Sequence, residues 1–140
     1  MKSLLDTCTV AEIRKADGAP AVKAAVARMA DEDLYLSVLT IGEIAKGVAL
    51  LAPGPKKAAL GTWLDGLRAR FADRILGVDL EAAQIWGELT ARARRSGVTI
   101  PAADGLLAAT ALRHGLRVMT RNSRHFEASG PLVVDPWRGG

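Results

Sequence analysis

The chain is poor in cysteine and in aromatic residues, and it has no long apolar run. A single thiol, Cys8, excludes an internal disulfide and a cysteine-built metal cage. It also fits a reducing compartment, so the cytoplasm is the expected location. No apolar stretch approaches the roughly 20 residues that a membrane helix requires, so no membrane association is expected. The opening Met1-Lys2-Ser3-Leu4-Leu5-Asp6 meets an acid too early for the core of a signal peptide, and the expectation is a soluble, unprocessed protein. Repeats and low-complexity tracts are lacking. The nearest thing to a linker, Ala52-Pro53-Gly54-Pro55, reads as a break between two helices. The three tryptophans do not suggest a platform for stacking bases. Trp63 and Trp86 fall on helical apolar stripes, and Trp137 is placed to pin the carboxyl-terminal tail to the body.

What is present is enough for one core. With 140 residues, 49% of them hydrophobic, the chain has the size and composition of one domain over 1–140. Its 19 Lys plus Arg exceed its 15 Asp plus Glu, a net charge of +4 that is mild but of the right sign for a polyanionic partner.

Short apolar runs alternate with helical patterns. Ser3 to Leu5, Leu34 to Val38, Arg74 to Val78, Arg117 to Thr120 and Leu132 to Val134 read as strands. Thr9-Val10-Ala11-Glu12 and Thr40-Ile41-Gly42-Glu43 have the capping-box pattern, which predicts helices opening near Val10 and near Thr40 and puts Glu43 in a first turn. Pro20 and Pro101 suit first turns of further helices. Leu60, Trp63, Leu64, Leu67 and Phe71 recur at helical spacing as one buried face. Asp79 is placed to cap a helix that ends at Ser96-Gly97. Parallel neighbours need long crossover connections, so this alternation predicts a three-layer α/β/α sandwich around a mostly parallel sheet of about five strands.

Three acids stand where such a sheet gathers its ligands. Asp6 follows the first apolar run, Glu43 the second, and Asp104 lies in Pro101-Ala102-Ala103-Asp104-Gly105 at a helix start. Asp in the first position is also a common turn or cap residue, and a capping-box Glu commonly bonds only backbone. Asp104 among small apolar neighbours points more directly to a site. Carboxylates that converge at low dielectric require a cation or raised proton affinity, and an all-oxygen donor set suits Mg²⁺ or Mn²⁺. The segment Met119 to Phe126 leaves a strand at the same edge. Thr120 and Asn122 can hydrogen-bond a phosphate or a bound water, and Arg121 and Arg124 can meet phosphate oxygens. Arg113, Arg117, Arg121 and Arg124 flank the acidic pocket in sequence and are expected to guide a phosphate backbone into it. Arg68, Arg70, Arg74, Arg92, Arg94 and Arg95 are read as solvated cations near helix ends. His125 is left without a role, and Cys8 is read as inert, with no base beside it in sequence.

Leu4-Leu5-Asp6-Thr7, Leu36-Ser37 through Glu43, Ala102-Ala103-Asp104, Ala108-Ala109-Thr110-Ala111, Thr120-Arg121-Asn122 and Asp135-Pro136-Trp137 together resemble the PIN-domain ribonucleases. The likeness spans the chain. It looks most like the VapC toxins of type II toxin-antitoxin pairs, on the branch that includes the FitB proteins. The resemblance implies a Mg²⁺-dependent endoribonuclease that forms a homodimer and is inhibited by a VapB-like antitoxin. Operator DNA would be met only through that antitoxin. It further implies that Asp6 and Asp104 hold the metal, that Glu43 binds it through water or positions the nucleophile, and that Asn122 or Thr120 bonds the scissile phosphate or a bound water. Arg121 is the first choice for an RNA-backbone contact. Two departures stand out. Cys8 occupies a place where the family usually has Asn, and Asn122 and His125 stand where relatives often have acids, which implies one metal ion rather than two.

Two other readings compete. Asp6-Thr7-Cys8-Thr9-Val10 approaches the nucleophile loop of haloacid-dehalogenase-type phosphatases, but Cys8 replaces the second Asp, which acts there as the general acid. A non-catalytic docking module is the other, its acidic pocket receiving an arginine of a partner.

Overall fold

A computed structural model describes residues 1–138. Its centre is β1 (Ser3–Leu5), flanked by β2 (Leu34–Ser37) and β4 (Arg117–Met119), with β3 (Ile75–Leu76) and β5 (Val133–Val134) at the edges. The order is β3-β2-β1-β4-β5, and every pairing is parallel. Among the described residues, seven helices connect the strands: α1 (Thr7–Arg14), α2 (Pro20–Ala27), α3 (Val38–Leu50), α4 (Pro55–Arg70), α5 (Leu80–Arg95), α6 (Ala102–His114) and the single-turn α7 (Arg124–Glu127). Short 3₁₀ turns precede β2, at Asp31–Asp33, and follow β5, at Pro136–Arg138.

The alternation of side chains along a strand builds two cores from one sheet. Leu4 and Val118 point to one face, where they meet Leu89 and Ala93 of α5, Leu107, Ala108 and Ala111 of α6, and Phe126 of α7. Leu5 and Met119 point to the other, against Val10 of α1, Val26 of α2 and Leu67 of α4. This is the α/β/α sandwich that the alternating pattern predicted. Each fully buried leucine adds about 1.5–3 kcal/mol of apolar transfer, which fixes the sheet that carries the site.

The helix starts differ from the sequence expectation. Neither capping box forms. Asp6 caps α1 by accepting the Thr9 amide at 2.9 Å, and Glu12 instead receives the Ala19 amide at 2.8 Å. Ser37 caps α3 through the Leu39 amide at 3.0 Å, so the helix opens at Val38 and Glu43 lies in its second turn. Polar residues directly at the strand ends reach the orphan amides first, leaving the boxes nothing to cap. The helix from Pro55 is less buried than its periodicity predicts. Leu67 and the capping Phe71 are buried, while Leu60, Trp63 and Leu64 are half-buried.

Candidate active site

Strand register explains why Asp6 and Thr120 meet. Leu5 pairs with Met119 across the parallel β1–β4 ladder, so the next residues, Asp6 and Thr120, leave the sheet side by side. The Asp6 amide donates to the Met119 carbonyl at 3.1 Å, and the Thr9 hydroxyl to the same carbonyl at 3.0 Å. The Thr120 hydroxyl donates to Asp6 Oδ2 in a short hydrogen bond. It also accepts the Asn122 amide at 3.0 Å.

Cys8 shares that carboxylate. Its Sγ lies 3.0 Å from Asp6 Oδ1 and 2.9 Å from Oδ2, which makes the thiol a donor to Asp6. Burial, and then the hydrogen bond to Asp6 and its negative charge, push the thiol up to about 11. The thiol therefore stays protonated and is no nucleophile at neutral pH. Asp6, 7% exposed, receives a backbone amide, a hydroxyl and a thiol, all neutral.

Glu43 and Asp104 reach the same cleft from helices. The Thr7 hydroxyl donates to Glu43 Oε1 at 3.0 Å and lies 3.3 Å from the buried Thr40 hydroxyl, which ties α1 to α3. His125 Nδ1 lies 2.7 Å from Asp104 Oδ2, linking α7 to the first turn of α6. Gly105 is what allows α6 to sit there, because a Cβ at that position would stand 3.0 Å from the Trp86 ring.

Asp6, Glu43, Asp104 and Asn122 line one hollow of about 300 Å³, together with Thr7, Cys8, Thr40 and small or apolar neighbours. The donor set is oxygen-rich, as a hard divalent ion requires. Yet among the described residues no three Asp, Glu, His or Cys close on a common point. Glu43 and Asp104 are each engaged at the wall, by Thr7 and by His125. Such a cleft suits an ion that takes one or two carboxylates directly and keeps its other ligands as water.

The four arginines expected around the pocket divide. Arg121 and Arg124 line an adjoining hollow with Asn122. Arg113 instead pairs with Asp79 at 3.3 Å and Glu81 at 3.2 Å, and Arg117 donates to Ser3 Oγ at 2.7 Å. Arg117 opens β4 whereas Thr120 follows it, so strand direction alone carries Arg117 to the opposite edge of the sheet. Trp137 lies beneath the Arg121 guanidinium, 5.4 Å from ring centroid to Cζ. Thr7, Thr40 and Cys8 line the cleft and His125 contacts Asp104, placements that the sequence does not single out. Their one signal is proximity to the helix starts and strand ends that carry the acids.

Comparison with known proteins identifies the family. The PIN domain model matches residues 3–130. The VapC ribonuclease Y4jK of Sinorhizobium fredii is 38% identical, covering 96% of both chains. Toxin FitB of Neisseria gonorrhoeae is 39% identical, covering 96% of this chain and 97% of its own. The crystal structure of FitAcB from Neisseria gonorrhoeae superposes with a TM-score of 0.92 at 39% identity, covering 96% of this chain and 98% of that one. The chain belongs to the PIN-domain family, on the branch of the VapC and FitB proteins.

Proposed function

We propose that the chain is a metal-dependent endoribonuclease, the toxin of a toxin-antitoxin pair, acting in the cytoplasm. The observation that carries this reading is the meeting of Asp6, Glu43 and Asp104, distant in sequence, around one cleft. The names of its relatives, a VapC ribonuclease and a toxin, support the same reading. Asp6 and Asp104 are the residues to hold Mg²⁺ or Mn²⁺, with Glu43 acting through water. When bound, such an ion lowers the proton affinity of a water and screens charge on a phosphodiester.

The chain's own groups do the rest. Thr9, Thr120 and Cys8 fix the Asp6 carboxylate before any ligand arrives, and fixed donors cost no reorganisation during reaction. Thr7 orients Glu43, which can accept a proton from a water or hold it for in-line attack. His125 orients Asp104. The Asn122 side chain supplies donors to a phosphate oxygen, and Arg121 and Arg124 supply positive charge beside it. A homodimer and a VapB-like antitoxin are the proposed protein partners, with operator DNA reached only through the antitoxin.

The purified chain, freed of any partner, should cut RNA only with a divalent ion, and Asp6→Asn or Asp104→Asn should abolish cutting. A protein that cuts no RNA with any divalent ion would instead be the docking module.

A further inference from the structure

Beside the acidic cleft lies a second hollow of about 200 Å³ lined by Arg121, Asn122, Ser123, Arg124, His125 and Arg138. Three guanidinium groups share it, whereas three carboxylates share its neighbour. Asn122 lines both, so the two are joined through one side chain. Among the described residues neither Arg121 nor Arg124 forms an ion pair, and Arg138 meets Asp135 at 3.4 Å with its own side chain 83% exposed. The nearby Glu12 feels the charge of Arg121, but the Ala19 amide already engages its carboxylate.

We propose that this basic hollow is a second phosphate subsite, which holds the backbone phosphate adjacent to the scissile one. The proposal rests on the nuclease reading above and deepens it. It adds Arg138 to the substrate-binding residues, and it makes the preferred substrate a strand with at least two consecutive phosphodiesters. Guanidinium groups offer forked donors that match phosphate oxygens, and they remain charged at every working pH. Arg121 rests with its carbon on the Trp137 face, an arrangement that orients the group while leaving donors free for a ligand. Trp137 and Arg138 both belong to the turn Pro136–Arg138, so the tail after β5 becomes part of the substrate surface. An acidic cleft alone repels a polyanion, so cations immediately alongside it are what admit an RNA strand. The link through Asn122 favours neighbouring phosphates over distant ones.

The test uses Arg121→Ala, Arg124→Ala and Arg138→Ala in the full chain, the corresponding lysine variants, and Lys56→Ala as a control cation on α4. Binding of a short single-stranded RNA is titrated in EDTA over a range of salt, and cutting is measured with Mg²⁺ on trinucleotide and dinucleotide substrates. Each Arg→Ala change should raise KM for the trinucleotide about fivefold to tenfold, the size of one charge-assisted bond partly open to water. It should flatten the salt dependence of log K by about 0.7. The trinucleotide's advantage over the dinucleotide should shrink, lysine should restore part of the loss, and Lys56→Ala should leave the salt slope as it was. Unchanged KM and slope in the arginine variants overturn the subsite while the nuclease stands. Arginine-dependent RNA binding by a parent protein that cuts nothing supports the subsite and sinks the nuclease. A parent protein that binds no RNA in EDTA overturns the subsite.

Discussion

Asp6 and Asp79 perform the same backbone task at two ends of the molecule. Asp6 caps α1 through the Thr9 amide at 2.9 Å, and Asp79 caps α5 through the Ala82 amide at 2.8 Å. They differ in what meets the other oxygen. Asp79 is exposed and receives the Arg113 guanidinium at 3.3 Å, so its charge is offset and open to water. Asp6 is buried and receives the Thr120 hydroxyl and the Cys8 thiol, neutral donors that hold the carboxylate without cancelling its charge. A buried carboxylate whose partners are all neutral has no countercharge of its own, and that lack beside the cleft makes the capping aspartate a candidate cation ligand.

The largest test of this contrast separates cap from charge. Asp6→Ala and Asp6→Asn should both eliminate metal-dependent RNA cutting. Only the alanine variant should lose stability as well, by about 1 kcal/mol, because Asn is as good an N-cap as Asp. Mn²⁺ should raise the melting temperature of the parent through binding to the folded state, and should do so much less for Asp6→Asn. Equal stabilisation of both by Mn²⁺ would remove Asp6 from the metal site.

Thr120→Val comes next. The change keeps shape but takes away the hydroxyl that donates to Asp6 and accepts the Asn122 amide. Groups that orient a metal-binding carboxylate are typically worth 10-fold to 100-fold in activity or affinity, and that loss is expected in kcat/KM. Leaving the Asp6 oxygen and the Asn122 amide short of a partner should also cost about 1–3 kcal/mol in urea unfolding. A valine variant with parental kcat/KM would mean that Asp6 needs no fixing.

His125→Ala should have a smaller effect, within about tenfold in activity and near 0.5 kcal/mol in stability, because both His125 and Asp104 are partly open to water. If it matched Thr120→Val, the open wall of the cleft would be as organised as the buried one.

The sequence made part of this legible and hid the rest for physical reasons. Alternating apolar runs and helical spacing suffice to announce the sandwich, since the same residues that pack the two cores set the pattern. Asp6, Glu43 and Asp104 could be picked out because acids that follow apolar runs at helix starts are conspicuous. Their partners could not. Thr7 finds Glu43 across 36 positions, His125 finds Asp104 across 21, and nothing local marks either pairing. Arg113 and Arg117 are close to the pocket along the chain but not in space. One strand, β4, separates Arg117 from Thr120 and puts them at opposite edges of the sheet. Cys8, which carries no local mark of a role, donates to Asp6 and so lines the cleft.

The smallest effect belongs to Asp79, where the contrast predicts pH sensitivity without function. The Ala82 amide first, and the Arg113 charge after it, hold the Asp79 carboxyl below the usual 3.8 of the free side chain. A carboxyl depressed in the folded state stabilises the fold above its unfolded value, and that contribution drains away as pH falls through and below 3.8. Asp79→Asn retains a side-chain cap but has no proton to take up in this range. Its unfolding midpoint in urea should therefore fall less steeply than the parent's between neutral pH and pH 3, with RNA cutting at neutral pH preserved. Reduced cutting in Asp79→Asn would couple the outer end of α5 to the cleft, and an unaltered acid limb would show that the Arg113 pairing is too well solvated to matter.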